Sequence, residues 1–166
     1  MTHALAQTQP KSTAKRITAV LAAAAITSGA LLGAASPADA ASSTVELRNA
    51  VVKLTNSARA TKGCKPLKQN SRLTNAAQGH ANDMAAKNYF SHTSANGRSW
   101  DQRIKKAGWK KPGGENIAYG FDAAGAVVNA WLNSPGHKRN IMDCQFKYIG
   151  IGFNADGDYT VQDFGY

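Results

Sequence analysis

The stretch Tyr148–Tyr166 reads YIGIGFNADGDYTVQDFGY, and it decides the fold class. Ile149, Ile151 and Phe153 alternate with Gly150 and Gly152, which is the period-two pattern of a strand. Ala155-Asp156-Gly157-Asp158 follows, with the Asp-Gly chemistry of a hairpin turn. Tyr159–Tyr166 then returns as a second, antiparallel strand. A third strand is expected upstream over Gly114–Gly120, GENIAYG, with Glu115, Ile117 and Tyr119 on one face. The run Gly150-Ile-Gly152-Phe-Asn-Ala155 also fits G-x-G-x-x-A. A dinucleotide fingerprint must open a helix after a strand, whereas these glycines sit inside a strand that ends in a turn. The motif is therefore rejected.

Helical patterns precede and interrupt these strands. Ser43 and Glu46 form a capping box, after which Leu47, Val51, Leu54 and Ala58 recur at helical spacing until Gly63. A second helix is expected from about Asn70 to Asn88, with Leu73, Ala77, His80 and Met84 on one face. A third starts at Ser99, buries Trp100, Ile104 and Ala107, and stops at Gly108. A fourth begins at Asp122 and turns Ala124, Val127, Val128 and Trp131 inward. Ser134-Pro135 opens one further short turn, because Pro is favoured at the first helical position. A small antiparallel sheet covered by helices follows, an α+β fold rather than a doubly wound one.

The N-terminus reads as a targeting segment. Lys11, Lys15 and Arg16 precede the uncharged, Ala-rich stretch Ile17–Ala35, and Pro37-Ala38-Asp39-Ala40 supplies an A-x-A site. The expected organisation is a signal peptide over 1–40 and one domain over 41–166, secreted and extracellular, with no transmembrane anchor after cleavage. Cys64 and Cys144 then lie in an exported domain and read as one disulfide. Closing a loop of about 80 residues removes unfolded-state entropy worth about 4–5 kcal/mol in the chain-entropy model.

The 166 residues carry a formal charge of +10, which invites a polyanion as partner. The surplus is uneven. Ala41–Lys111 holds 14 Lys and Arg against 3 acids, whereas Pro112–Tyr166 holds 3 against 6. The basic residues thus flank the helical half, and no nucleic-acid reader motif accompanies them. H-E-x-x-H, G-x-x-x-x-G-K-[ST] and G-x-S-x-G are all absent from the sequence.

Histidine and glutamate are scarce in the expected domain, which draws attention to each one. His80 lies on an apolar helix face and reads as a core histidine bonded to backbone. His92 follows the second helix, Glu115 opens a strand, and His137 lies in Ser134-Pro135-Gly136-His137. Two imidazoles and a carboxylate form a familiar open zinc set. They also suit general acid–base chemistry, with Glu115 as the candidate base. Their spacing alone does not bring them together. Trp109, in a basic loop, reads as folded onto the sheet rather than as a ligand platform.

Several blocks carry a family resemblance. Ala76-x3-His80-x2-Asp83-Met84-Ala85 runs into Asn88-Tyr-Phe90-Ser-His92. Gly114-Glu115-Asn116-Ile117-Ala118 and Trp131-Leu-Asn-Ser134-Pro-Gly136-His137-Lys-Arg-Asn140-Ile141 follow. Ile149-Gly-Ile-Gly152 with Tyr159-x2-Gln162-x-Phe164-Gly165 completes the series, and Asn56-x2-Arg59-x3-Gly63-x3-Leu67 precedes it. In order, these resemble the CAP superfamily of cysteine-rich secretory proteins, antigen 5 and pathogenesis-related proteins, in its bacterial SCP-domain form. The resemblance implies a three-layer α-β-α sandwich with a central cleft where His92, Glu115 and His137 face each other. Many members add a second Glu shortly after the fourth-helix Trp. Here Leu132, Asn133 and Ser134 follow Trp131. The disulfide is expected to brace one cleft wall.

The functional expectation is an extracellular binding module rather than a conventional enzyme, whose cleft takes a small ligand, a lipid or a divalent cation such as zinc. The rivals are a metal-dependent hydrolase using the same three residues and a protein that binds cell-wall polyanions through its basic flank. A monomer is expected.

Overall fold

A computed structural model of the chain describes residues 2–6 and 37–166, with side chains from residue 43 onward. Strand β1 (Thr2–Ala6) precedes helix α1 (Pro37–Ala60), the short strand β2 (Lys68–Gln69) and helix α2 (Ser71–Lys87). Helix α3 (Trp100–Lys106), strand β3 (Pro112–Tyr119) and helices α4 (Ala124–Leu132) and α5 (Pro135–Ile141) follow. The hairpin β4 (Tyr148–Asn154) and β5 (Tyr159–Gly165) ends the chain. The sheet order is β1-β3-β5-β4-β2. The central three strands are antiparallel, as the hairpin required, while the outer β1 and β2 each run parallel to their neighbours. The apolar stretch at 17–35, on which the signal-peptide reading rests, lies outside the described residues. Among the described residues no helix is long and apolar enough to cross a membrane.

Helices cover both faces of the sheet, giving the expected α-β-α layering. On one face Val51 and Val52 of α1 and Val127, Val128 and Trp131 of α4 pack on Ala118, Ile149, Ile151 and Phe164. On the other, Ala77, Ala81 and Met84 of α2 meet Ile117, Tyr159 and Val161. Each fully buried large side chain contributes about 1.5–3 kcal/mol.

The two faces of β4 differ in kind. Ile149, Ile151 and Phe153 point towards the α1 layer, whereas Gly150 and Gly152 lie directly beneath α2. A Cβ on Gly150 would come 2.1 Å from the backbone of Leu73 and Thr74, and one on Gly152 would come 2.3 Å from that of Ala77. These glycines let a helix rest on a strand backbone to backbone, which is the physical content of the rejected G-x-G.

Two helix starts differ from expectation. α1 begins at Pro37, not at Ser43, because Pro suits the first helical position and the alanines after it are strong helix formers. α4 begins at Ala124, two residues after Asp122, with Ala123 as its N-cap. α2 is capped as the sequence suggests, with the Asn70 side chain accepting from the Arg72 N–H. α3 starts after Ser99, whose N–H donates to Gln102 Oε1 at 3.1 Å.

Cys64 and Cys144 form a disulfide with Cα atoms 4.9 Å apart. Beside it the buried Arg59 guanidinium donates to the carbonyls of Ile141 and Asp143, both at 2.8 Å, and of Phe146 at 3.2 Å. Arg59 and the disulfide together fasten the end of α1 to the segment that leaves α5. Trp109 lies against the sheet end, its ring 4.8 Å from that of Tyr148 and its Nε1 donating to the Lys111 carbonyl.

Candidate functional site

Strand β3 carries the site because its side chains alternate between the two helical layers. Glu115 turns towards α2 and α3, while Asn116 turns towards α1 and α5. Glu115 is fully buried. His92 Nδ1 lies 2.7 Å from its Oε1, and the Arg103 guanidinium of α3 pairs with its Oε2. A buried carboxylate with both oxygens engaged is held ionised. Burial pushes the Glu115 carboxyl up, but the His92 hydrogen bond and the Arg103 charge outweigh that and hold it below the ordinary carboxylate value.

This geometry fixes the His92 ring. Its Nδ1–H donates to the carboxylate, leaving Nε2 as the acceptor. Nε2 has no hydrogen-bond partner among the described residues. The arrangement resembles the base-and-orienter half of a catalytic triad: a buried acid sets the tautomer, and Nε2 is left as an unpartnered, buried acceptor in a ring that is 15% exposed. Glu115 thus has both oxygens engaged and no exposure, and His92 is the more exposed member of the pair.

His137 reaches β3 from the other layer. Its Nδ1 lies 2.8 Å from Ser134 Oγ, and its carbonyl accepts from Asn116 Nδ2 at 3.2 Å. Asn140 Nδ2 donates to the Glu115 carbonyl at 3.2 Å and to Asn116 Oδ1 at 2.9 Å. Gln162 extends this amide network, donating to Thr55 Oγ1 of α1 at 2.9 Å. The structure thus brings His92 to the Glu115 side chain, while α5 grips the Glu115–Asn116 backbone from the opposite face.

Three further residues belong to the site, and sequence reasoning assigned none of them to it. Arg103 shares the buried stripe Trp100, Ile104 and Ala107 at helical spacing, and an arginine in such a stripe signals a buried partner. Asp163 stands opposite Glu115 in the β3–β5 register and is fully buried. Burial and the neighbouring Glu115 charge push its carboxyl well above the ordinary value. No spacing rule pairs positions 115 and 163; only the register does. His80 behaves as the apolar face suggested, its Nε2 bonded to the Ser91 carbonyl at 2.8 Å. Burial pushes its pKa down.

The donor set does not fit a resident cation. Both Glu115 oxygens are committed, and the Arg103 charge beside them repels a metal ion. Among the described residues no three His, Cys, Asp or Glu side chains stand together as a metal-binding group.

The comparisons agree with this architecture. A family model described as CAP, the cysteine-rich secretory protein family, matches residues 52–164. Among relatives, the protein YkwD of Bacillus subtilis (strain 168) is 41% identical over 115 residues, 69% of this chain and 45% of its own length. The chain spans less than half the length of the curated relatives it matches. An extracellular SCP-domain protein of Bacillus anthracis str. Ames superposes with a TM-score of 0.73 at 29% identity, over 80% of this chain and 44% of its own. An outer surface protein of Borrelia burgdorferi superposes with a TM-score of 0.65 at 28% identity, over 74% of this chain and 93% of its own. With the family's order of helices and strands, its G-E-N strand and its W…G-H helices all in place, this chain belongs to the CAP family.

Proposed function

We propose that the chain is a secreted CAP-domain binding module, exported by residues 1–40, that engages a small ligand at the partly exposed His92 ring. The observation that carries this reading is the commitment of Glu115. A carboxylate sealed between His92 and Arg103 orients a ring without offering itself to a substrate. The ligand meets the exposed part of the ring, while burial and the Glu115 charge push the neighbouring Asp163 carboxyl up. The disulfide fits an oxidising compartment. The extracellular and outer-surface settings of the two structural neighbours support export of this chain as well. The module acts as a monomer and does not take nucleic acid.

Two measurements test the reading. N-terminal sequencing of protein recovered from the medium of an expressing bacterium should begin at Ala41. Retention of residues 1–40 on the recovered protein would contradict export by cleavage. Calorimetric titration with zinc at neutral pH should show no one-to-one uptake. Stoichiometric uptake that disappears in His92→Ala would favour the metal-dependent hydrolase instead.

A further inference from the structure

One end of the sheet carries two cavities that meet at Tyr148. The first, about 570 Å³, lies between the disulfide and the start of β4, with Lys65, Lys68 and Lys147 in its wall. The second, about 350 Å³, lies between the start of α2 and the loop at 108–111, with Arg72, Lys110 and Lys111 in its wall. Tyr148 lines both, so the two are adjacent parts of one groove. No Asp or Glu lines either part. All six cations are exposed, and among the described residues none of them is in an ion pair. Like charges gathered around a concave space sum their fields and draw an anion into it.

Both walls of the groove are held in place by contacts beneath them. In the first, the Cys64–Cys144 disulfide forms part of the lining, and the buried Arg59 guanidinium holds the Lys65 carbonyl at 3.1 Å and the Phe146 carbonyl at 3.2 Å. The second wall is aromatic. Trp109 is folded onto the sheet end as the sequence suggested, yet it is only half-buried and lines the cavity with Tyr148 and Tyr166. Three contacts fix its ring. Nε1 donates to the Lys111 carbonyl at 2.9 Å, and Tyr148 meets the ring edge-on with centroids 4.8 Å apart. Gly165 supplies the seat, since a Cβ there would come 2.3 Å from Trp109 Nε1. Tyr166, 40% exposed, packs on Phe146, and Arg72 Nη1 donates to the Gly108 carbonyl at 3.3 Å. Fixed aromatic rings and exposed cations thus share one concave surface.

We propose that this groove binds a linear acidic glycan, a chain of pyranose rings that carry carboxylates. A pyranose lays its apolar C–H face on the Trp109 ring, and the tyrosine hydroxyls meet sugar hydroxyls, because Trp and Tyr combine an apolar body with a polar tip. Carboxylates of successive rings pair with Arg72, Lys110 and Lys111 in one cavity and with Lys65, Lys68 and Lys147 in the other. A basic groove with aromatic rings also suits single-stranded nucleic acid. The disulfide in the wall favours the glycan, since it fits an oxidising compartment outside the cell. Five of the six cations belong to the basic half Ala41–Lys111, so the attraction of that half narrows from a whole flank to one groove. His92, Glu115 and Arg103 line neither cavity, and the inference survives if the role given to His92 fails.

The test is a titration of the full chain with hexagalacturonate. Maltohexaose, neutral but alike in length and linkage, and a thymidine hexanucleotide serve as comparators. Binding is followed through the indole Nε1–H resonances, with Trp109→Phe identifying that of Trp109. Saturable binding of hexagalacturonate should move the Trp109 resonance and leave that of the fully buried Trp131 in place. Both comparators should bind about tenfold more weakly or not at all. Lys68→Ala/Lys110→Ala removes one charge from each cavity and should weaken binding about tenfold, while an unmoved Trp131 resonance shows that the fold is kept. Lys53→Ala/Lys106→Ala removes the same charge outside the groove and should bind as the parent does. Equal losses in the two double variants would overturn the proposal in favour of diffuse attraction. So would the lack of saturable shifts, or equal affinity for maltohexaose, which would remove the role of charge. Binding of the hexanucleotide as tight as that of hexagalacturonate would overturn it in favour of nucleic acid.

Discussion

Glu115 and Asp163 face each other across two paired strands, yet their carboxyls are pushed in opposite directions. Glu115 has an arginine and a histidine to support its charge, and Asp163 has neither oxygen bonded to a protein donor among the described residues. The signs of their pH dependence are therefore opposite. Glu115, with its value lowered, stabilises the fold above the ordinary glutamate range, and that stabilisation is lost as pH falls through its folded value. Asp163, with its value raised, favours the fold at acid pH, and that contribution is lost as pH rises from the unfolded value of about 3.9 through its folded value. Glu115→Gln should cost about 3 kcal/mol at neutral pH, because it leaves a buried arginine without its counter-charge. Urea unfolding measures this, and a loss within experimental error would mean that Arg103 finds its partners elsewhere. Asp163→Asn should match the parent near pH 4 and become the more stable of the two as pH rises, read from melting temperatures across the range. A constant difference at all pH values would show that Asp163 does not hold a proton in the fold.

At the scale of elements, much of the layout was legible because local chemistry and tertiary demand agree. Asp-Gly fixed the hairpin, Asn70 capped α2, and Ser134-Pro135 opened α5. Where they diverged, a stronger local preference lay upstream. Pro37 and the alanines after it extended α1 beyond the Ser43 box. β2 was not legible at all, since two polar residues gain strand geometry only by lying against β4. The glycines of β4 were read correctly as strand residues, but their purpose needed the third dimension. Gly152→Ala should destabilise by about 1–3 kcal/mol or more, because its Cβ would meet helix backbone that cannot swing away as a side chain can. Gly125→Ala is the matching contrast. It sits in the first turn of α4 with nothing near its added Cβ, and should stabilise by about 1 kcal/mol through helix propensity. Equal thermal stability of the two variants would refute backbone contact between α2 and β4 as the reason for the glycine.

The whole molecule is held as three layers tied at one end. The disulfide and Arg59 join α1 to the segment after α5, while the amide network of Asn116, Asn140 and Gln162 locks the central strand to the same layer. Cys64→Ser/Cys144→Ser should lower stability by about 4 kcal/mol, since the freed loop spans 80 residues. Denaturant unfolding checks it, and a cost below about 1 kcal/mol would mean that Arg59 alone suffices to hold the segment. At this scale the family was readable from ordered motifs, but the composition of the site was only half readable. His92 and Glu115 are neighbours as the resemblance implied. Their real partners, Arg103 and Asp163, come from a helix stripe and a strand register that carry no motif.

Everything proposed for the His92 site depends on buried Glu115 holding that ring with its proton on Nδ1, so that Nε2 is the unpartnered acceptor. Long-range ¹H–¹⁵N correlation of the imidazole rings at pH 8 reads this tautomer, with Glu115→Gln as the comparison. The parent chain should show His92 as the Nδ1–H tautomer, and the variant should show a mixture of tautomers. A dominant Nε2–H tautomer in the parent would contradict the assignment.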